Sequence, residues 1–143
     1  TGASRGIGRA AALAFAKAGA HVVAPARTSG ALEELDDEIR AEGGSATLVP
    51  LDLGDAPAVE KLGPALLQRW GKLDILLANA GILGPLSPLT HASPKEWAKV
   101  FDTNVTANWR LLKSVEPALQ ASDAGRVILM SSGAAHKCLA YWG

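Results

Sequence analysis

Thr1-Gly2-Ala3-Ser4-Arg5-Gly6-Ile7-Gly8 opens the chain, and its glycines at positions 2, 6 and 8 stand directly ahead of an Ala-rich stretch, 9–18, closed by Gly19. That stretch has high helix propensity, and the glycine behind it reads as a C-cap. A glycine turn feeding a helix gathers backbone N–H groups and the positive end of the helix dipole at one point, where an anion such as a pyrophosphate binds. Taken alone, the motif reads equally well as a plain turn before a helix. Its surroundings carry more weight. Residues 21–26 form a short apolar run, then Leu32, Leu35 and Ile39 keep helical spacing across 29–42, with Glu33, Glu34, Asp36, Asp37 and Glu38 expected on a solvated face. Gly43-Gly44 ends that helix and 46–51 is the next strand. The glycine motif thus opens the helix of a βαβ unit.

The alternation continues to the end of the chain. Asp55 caps a third helix carrying Val59, Leu62, Leu66 and Trp70, and Pro64 is expected to kink or split it because proline lacks the N–H donor. Residues 73–78 form a strand and 81–92 a loop. Ser93-Pro94-Lys95-Glu96 joins a capping box to a proline at the first helical position. The helix starting there is expected to bury a stripe of Trp97, Val100, Phe101, Val105, Leu112 and Val115. Asn104 interrupts that stripe, and a buried amide there must be hydrogen-bonded. Asp123-Ala124-Gly125 is a turn and 127–131 a last strand. Strands alternating with helices predict an α/β fold, a parallel sheet with helices packed across it, with 1–143 as one domain.

Composition narrows the function classes. The 143 residues carry 14 Lys+Arg against 14 Asp+Glu, a formal net charge of +0. Such a chain has no field for holding a polyanion, so no nucleic-acid partner is expected. Hydrophobic residues at 48% and charged residues at 20% mark a folding sequence rather than a disordered one. The long stretch free of charged side chains, 75–94, is broken by Asn79, Gly84, Pro85 and Pro88, so no membrane helix is expected. The one cysteine, Cys138, excludes an intrachain disulfide framework and fits a reducing, cytoplasmic setting. His21, His91 and His136 are scattered and Cys138 has no ligand-spaced partner, so no metal site is expected.

Thr-Gly-x-x-x-Gly-x-Gly at 1–8, Asp52 after a strand, Asn79-Ala80-Gly81 after the next, Asn104 in the long helix and Ser131-Ser132 after the last strand occur in an order that resembles the short-chain dehydrogenase/reductase family. The glycine spacing is similar to its compact, single-domain branch. The resemblance implies a Rossmann-like doubly wound parallel sheet in three α/β/α layers and NAD(P)-dependent oxidoreduction. It places Gly2, Ser4, Arg5, Gly6, Ile7 and Gly8 on the cofactor, Asp52 and Leu53 at its adenine, and Asn79, Ala80 and Gly81 beside its ribose. Ala78 stands where the family more often has a second asparagine. By the same resemblance Ser132 polarises the substrate oxygen, with Ser131 as the alternative, and Asn104 holds a water next to the catalytic lysine. The family's catalytic tyrosine lies farther past the serine than Tyr141 does, and its lysine would fall beyond residue 143, so Tyr141 receives no role. Helices around Trp97 to Trp109 form subunit contacts in relatives, which implies a homodimer or homotetramer.

The second strand, ending Ala24-Pro25-Ala26-Arg27, offers no carboxylate for a ribose 2′-OH, whereas Arg27, with Arg5, can pair with a 2′-phosphate. NADP(H) is therefore favoured over NAD(H). The leading expectation is an NADP(H)-dependent enzyme acting on a small-molecule carbonyl or secondary alcohol. A noncatalytic dinucleotide-binding or sensor module ending at residue 143 is the alternative. A methyltransferase would need an acid at the end of the second strand, and Ala26-Arg27 speaks against it. Motif order also implies a domain truncated at both ends, with its first strand ahead of Thr1 and its Tyr-x-x-x-Lys segment past residue 143. The 143 residues alone are then expected to bind cofactor poorly and to catalyse nothing.

Overall fold

Helix α1 (Gly6–Lys17) starts inside the glycine motif, earlier than its alanines suggest, because Arg5 is extended and Gly8 can enter the buried face with Ala12 and Ala16. The computed structural model describes residues 1–137 and 139–142, so the expectation for Cys138 lies outside the described residues. Strand β1 (His21–Ala26) pairs in parallel with β2 (Ser45–Pro50), Ala26 opposite Pro50. Between them α2 (Ser29–Ala41) crosses back and buries Leu32, Leu35 and Ile39 completely. Its acidic face is not wholly solvated: Asp36 is buried and pairs with Arg40 one turn on, at 2.7 Å.

Helix α3 (Ala56–Trp70) is capped by Asp55, whose carboxylate accepts from Ala58 N at 3.1 Å. The expected break at Pro64 does not occur, and the helix runs through it. Pro64 cannot donate to the carbonyl one turn back, and the side chain of Ser114 fills in. Its Oγ lies 2.8 Å from the Val59 carbonyl and 3.1 Å from that of Glu60, and accepts from Gly63 N at 3.0 Å. A donor from the neighbouring helix thus offsets the proline defect.

Strand β3 (Ile75–Ala78) pairs in parallel with β4 (Arg126–Leu129), Ala78 opposite Leu129. Between them lie α4 (Pro94–Phe101), a π-turn at Asp102–Thr106 and α5 (Ala107–Gln120). The capping box forms as read, with Ser93 N donating to Glu96 Oε2 at 3.0 Å and Glu96 N to Ser93 Oγ at 3.2 Å. Hydrogen bonds from Ser93 hold the Glu96 carboxyl below its usual range. The apolar stripe needs correction. Val115 is buried and Val100 and Leu112 are half-buried as expected, but Trp97, Phe101 and Val105 are exposed, and α5 buries Ala107, Leu111, Ala118 and Leu119 as well. The wide turn shifts the helical phase, so residues on either side of it do not share one face.

The fold is α/β as expected, but the sheet is in two halves: β1 and β2 form one, β3 and β4 the other. A slot of about 420 Å³ separates them, lined by Ala12, Val22, Val23, Leu66, Leu76 and Leu77 among others. The first residues of the chain stand at one end of this slot and tie both halves. Thr1 N donates to Leu77 O at 2.7 Å and Gly2 N to Pro25 O at 3.1 Å.

Candidate functional site

Because every strand pairing is parallel, the strand ends that carry the motif residues lie along one edge of the fold. This is where open α/β sheets bind ligands. The glycine turn sits on that edge between the two half-sheets. Thr1 Oγ1 accepts from Asn79 N and from Ala80 N, both at 3.0 Å, and Asn79 Nδ2 donates to Thr1 O at 3.0 Å. Asn79 therefore satisfies its amide by bridging from β3 to the turn, as an asparagine ending an apolar strand must.

Glycine is needed here for two different reasons. At Gly8 an added Cβ would lie 2.4 Å from Gly2 O and 2.5 Å from Asn79 Nδ2, so the side chain is excluded by close approach. At Gly6 no atom lies within 4 Å of such a Cβ, but φ is +55°, a left-handed conformation that glycine adopts without strain. The turn is packed on one side and open on the other. No side chain caps the start of α1, and no acid lies in its first turn. Its leading N–H groups are free to meet an anion, and the cradle fits the pyrophosphate of a dinucleotide.

Arg5 and Ile7 are exposed at the mouth of the turn and Ser4 is half-buried. Arg27, exposed, follows the last residue of β1, close to the point where Gly2 binds Pro25. Among the described residues neither Arg5 nor Arg27 is engaged in an ion pair. Asp52 is exposed beyond β2 and accepts from Gly54 N at 2.9 Å, whereas the Leu53 side chain is buried in the core. Leu53 can thus reach a ligand through its backbone only.

Asn104 lies within the π-turn and is fully bonded: its Oδ1 accepts from Ile82 N and its Nδ2 donates to Ile82 O, both at 2.8 Å. The clamp holds the segment that follows Asn79-Ala80-Gly81. Sequence reasoning found Asn104 but missed Ile82, its partner, and Asn108, whose Nδ2 donates to Asn104 O at 2.7 Å. The only signal available for Asn108 was an asparagine one helical turn after another.

Ser131 and Ser132 follow β4 on the same edge and both are exposed. Ser132 Oγ accepts from Ala134 N at 3.1 Å, capping a short 3-10 turn at Gly133–His136. That bond leaves the hydroxyl proton free to donate. Tyr141 is exposed in a left-handed conformation, φ 69°. Among the described residues no three His, Cys, Asp or Glu side chains cluster to hold a metal ion, and no helix is long and apolar enough to cross a membrane.

The family model for short chain dehydrogenases matches residues 1–143. This chain belongs to the short-chain dehydrogenase family. Uncharacterized oxidoreductase YciK of Escherichia coli is 33% identical over 146 residues, covering 100% of this chain and 58% of YciK. A Shigella flexneri short chain dehydrogenase complexed with NADP superposes with a TM-score of 0.93 at 34% identity, over 99% of this chain and 61% of that one. A 7 alpha-hydroxysteroid dehydrogenase complexed with NADH and 7-oxo glycochenodeoxycholic acid gives 0.90 at 30% identity, over 99% and 55%. These likenesses confirm the Rossmann fold of the family. The chain thus spans little more than half the length of YciK and of the hydroxysteroid dehydrogenase.

Proposed function

We propose that the chain is the cofactor-binding part of an NADP(H)-dependent oxidoreductase acting on a small-molecule carbonyl or secondary alcohol. The observation that carries this reading is the uncapped start of α1 behind a glycine turn, with Arg5 and Arg27 unpaired beside it. A bound nicotinamide supplies or accepts the hydride. The first-turn N–H groups receive the pyrophosphate, and Arg5 and Arg27 receive the 2′-phosphate. Asp52 meets the adenine, and Asn79, Ala80 and Gly81 border the ribose. Ser132 donates its hydroxyl proton as a hydrogen bond to the substrate oxygen, where charge develops. Asn104 sets the backbone of Ile82 and so the loop beside the cofactor.

The slot between β1 and β3 supports a further parallel strand ahead of Thr1, making 1–143 part of a longer domain. The exposed Trp97, Phe101, Val105 and Trp109 support a homo-oligomer, and the balanced charge and lone cysteine support a cytoplasmic setting.

Titrating the complete protein with NADPH and NADH tests the cofactor. NADPH should bind more tightly, and Arg27→Ser should cost NADPH about 10–100-fold, the value of a charge-assisted contact, while leaving NADH unchanged. Equal affinity for the two cofactors in the wild type would refute the roles of Arg5 and Arg27. Turnover of NADPH with a panel of aldehydes and ketones separates an enzyme from a sensor module, which would bind without turnover.

A further inference from the structure

Every polar group of Asn104 that faces the site is set by a partner. Both side-chain atoms are committed to Ile82, and the backbone carbonyl takes Nδ2 of Asn108. The last of these bonds comes from α5, beyond the π-turn, whose wide pitch is closed by Ala107 N donating to Asp102 O. The other half of the Asn108 amide is left over: its Oδ1 is buried, and no described residue donates to it. A leucine there has the same skeleton branched at Cγ, would suit the face that carries Leu111 and Leu112, and would leave no acceptor stranded. A buried unpaired acceptor is a standing cost in stability, and folds keep such costs where the group has other work.

Resting on the cofactor reading above, we propose that Asn108 is a positioning residue. Its Nδ2 holds the Asn104 carbonyl, fixes the π-turn, and through the Asn104 clamp on Ile82 sets the backbone that borders the cofactor. The connection is contiguous. Gly81 packs so closely on Asn104 that an added Cβ would stand 3.3 Å from Oδ1, and Asn79 and Ala80 are bonded to Thr1 in the glycine turn. The orientation of Asn104 thus depends on α5 as well as on the loop it clamps.

The substitution Asn108→Leu in the complete protein separates this role from a merely structural one. A structural amide would lose stability and cofactor affinity together. A positioning amide with a stranded acceptor gives a thermal midpoint that holds or rises. Amide exchange at Ile82, measured without cofactor, then speeds by about tenfold or more, the loss expected when one hydrogen bond in a coupled set goes. With NADPH, kcat should fall while KM for the carbonyl substrate stays within twofold, and Asn108→Gln, which keeps a donor, should recover part of the Ile82 protection. Unchanged exchange at Ile82, or a leucine variant that melts early or fails to fold, overturns the proposal. If the wild type binds no NADPH, the cofactor reading fails, and the exchange and melting measurements still decide the role of Asn108.

Discussion

Replacing Gly8 by alanine should abolish useful cofactor binding, with affinity falling by about 100-fold or more. An alanine in a helix is ordinarily better than glycine by about 1 kcal/mol. Here the sign reverses, because the new Cβ meets Gly2 O at 2.4 Å and Asn79 Nδ2 at 2.5 Å. Neither neighbour can step aside cheaply. Gly2 is held by its bond to Pro25 O, and Asn79 Nδ2 by its bond to Thr1 O. The turn must lift away from β3, and the N–H groups at the start of α1 then point elsewhere. Calorimetric titration of the complete protein with NADPH checks the loss, and a melting curve should show a destabilisation of about 1–3 kcal/mol, typical of overpacking. Wild-type affinity in this variant would show that the turn is not the cradle.

Gly63→Ala should be the more damaging change to the fold. The added Cβ would stand 1.7 Å from the carbonyl oxygen of Ser114 and 2.3 Å from its carbon, far inside van der Waals contact with another helix's backbone. Helices α3 and α5 would have to separate, opening the core built from Val59, Leu66, Leu111 and Val115. A loss of about 3 kcal/mol or more is expected in urea denaturation, and the variant can fail to fold. Ser114→Ala should cost less, about 1–3 kcal/mol, by leaving Gly63 N and the Glu60 carbonyl unmet beside Pro64. Equal stability of Gly63→Ala and the wild type would mean that the two helices do not approach as described.

The elements that local physics governs were legible in the chain. The Ser93 capping box, the Asp55 cap, the glycine stops after α1 and α2 and the apolar strands each depend on neighbours in sequence, and each formed within a few residues of its expected place. Pro64 does not split α3 because Ser114, fifty positions on, offers its hydroxyl to the groups around it, and no local rule contains that residue. The apolar stripe holds only in part, with Val115 buried and Trp97, Phe101 and Val105 exposed, because one wide turn at Asp102–Thr106 puts the two helices in different phase. Asp36 was read as solvated because its charge, and not its packing, is what a sequence displays.

The candidate site divides in the same way. Gly2, Gly6 and Gly8, Asn79 and Asn104 stand out as residue types that are costly or idle unless used, whereas Asp52 and Ser132 are named by the resemblance of the motif order to the family. The sequence by itself determined the α/β alternation, because helix period, strand period and capping are local, and it displayed the strand-end motifs in the order that resembles the family. Only the tertiary structure decided that Gly8 is required by contact and Gly6 by backbone conformation, that Asn104 spends its amide on Ile82, and that Asn108 stands behind it. Those facts depend on which backbones come within a few ångströms of each other, and that distance is set by the packing of segments far apart in the chain.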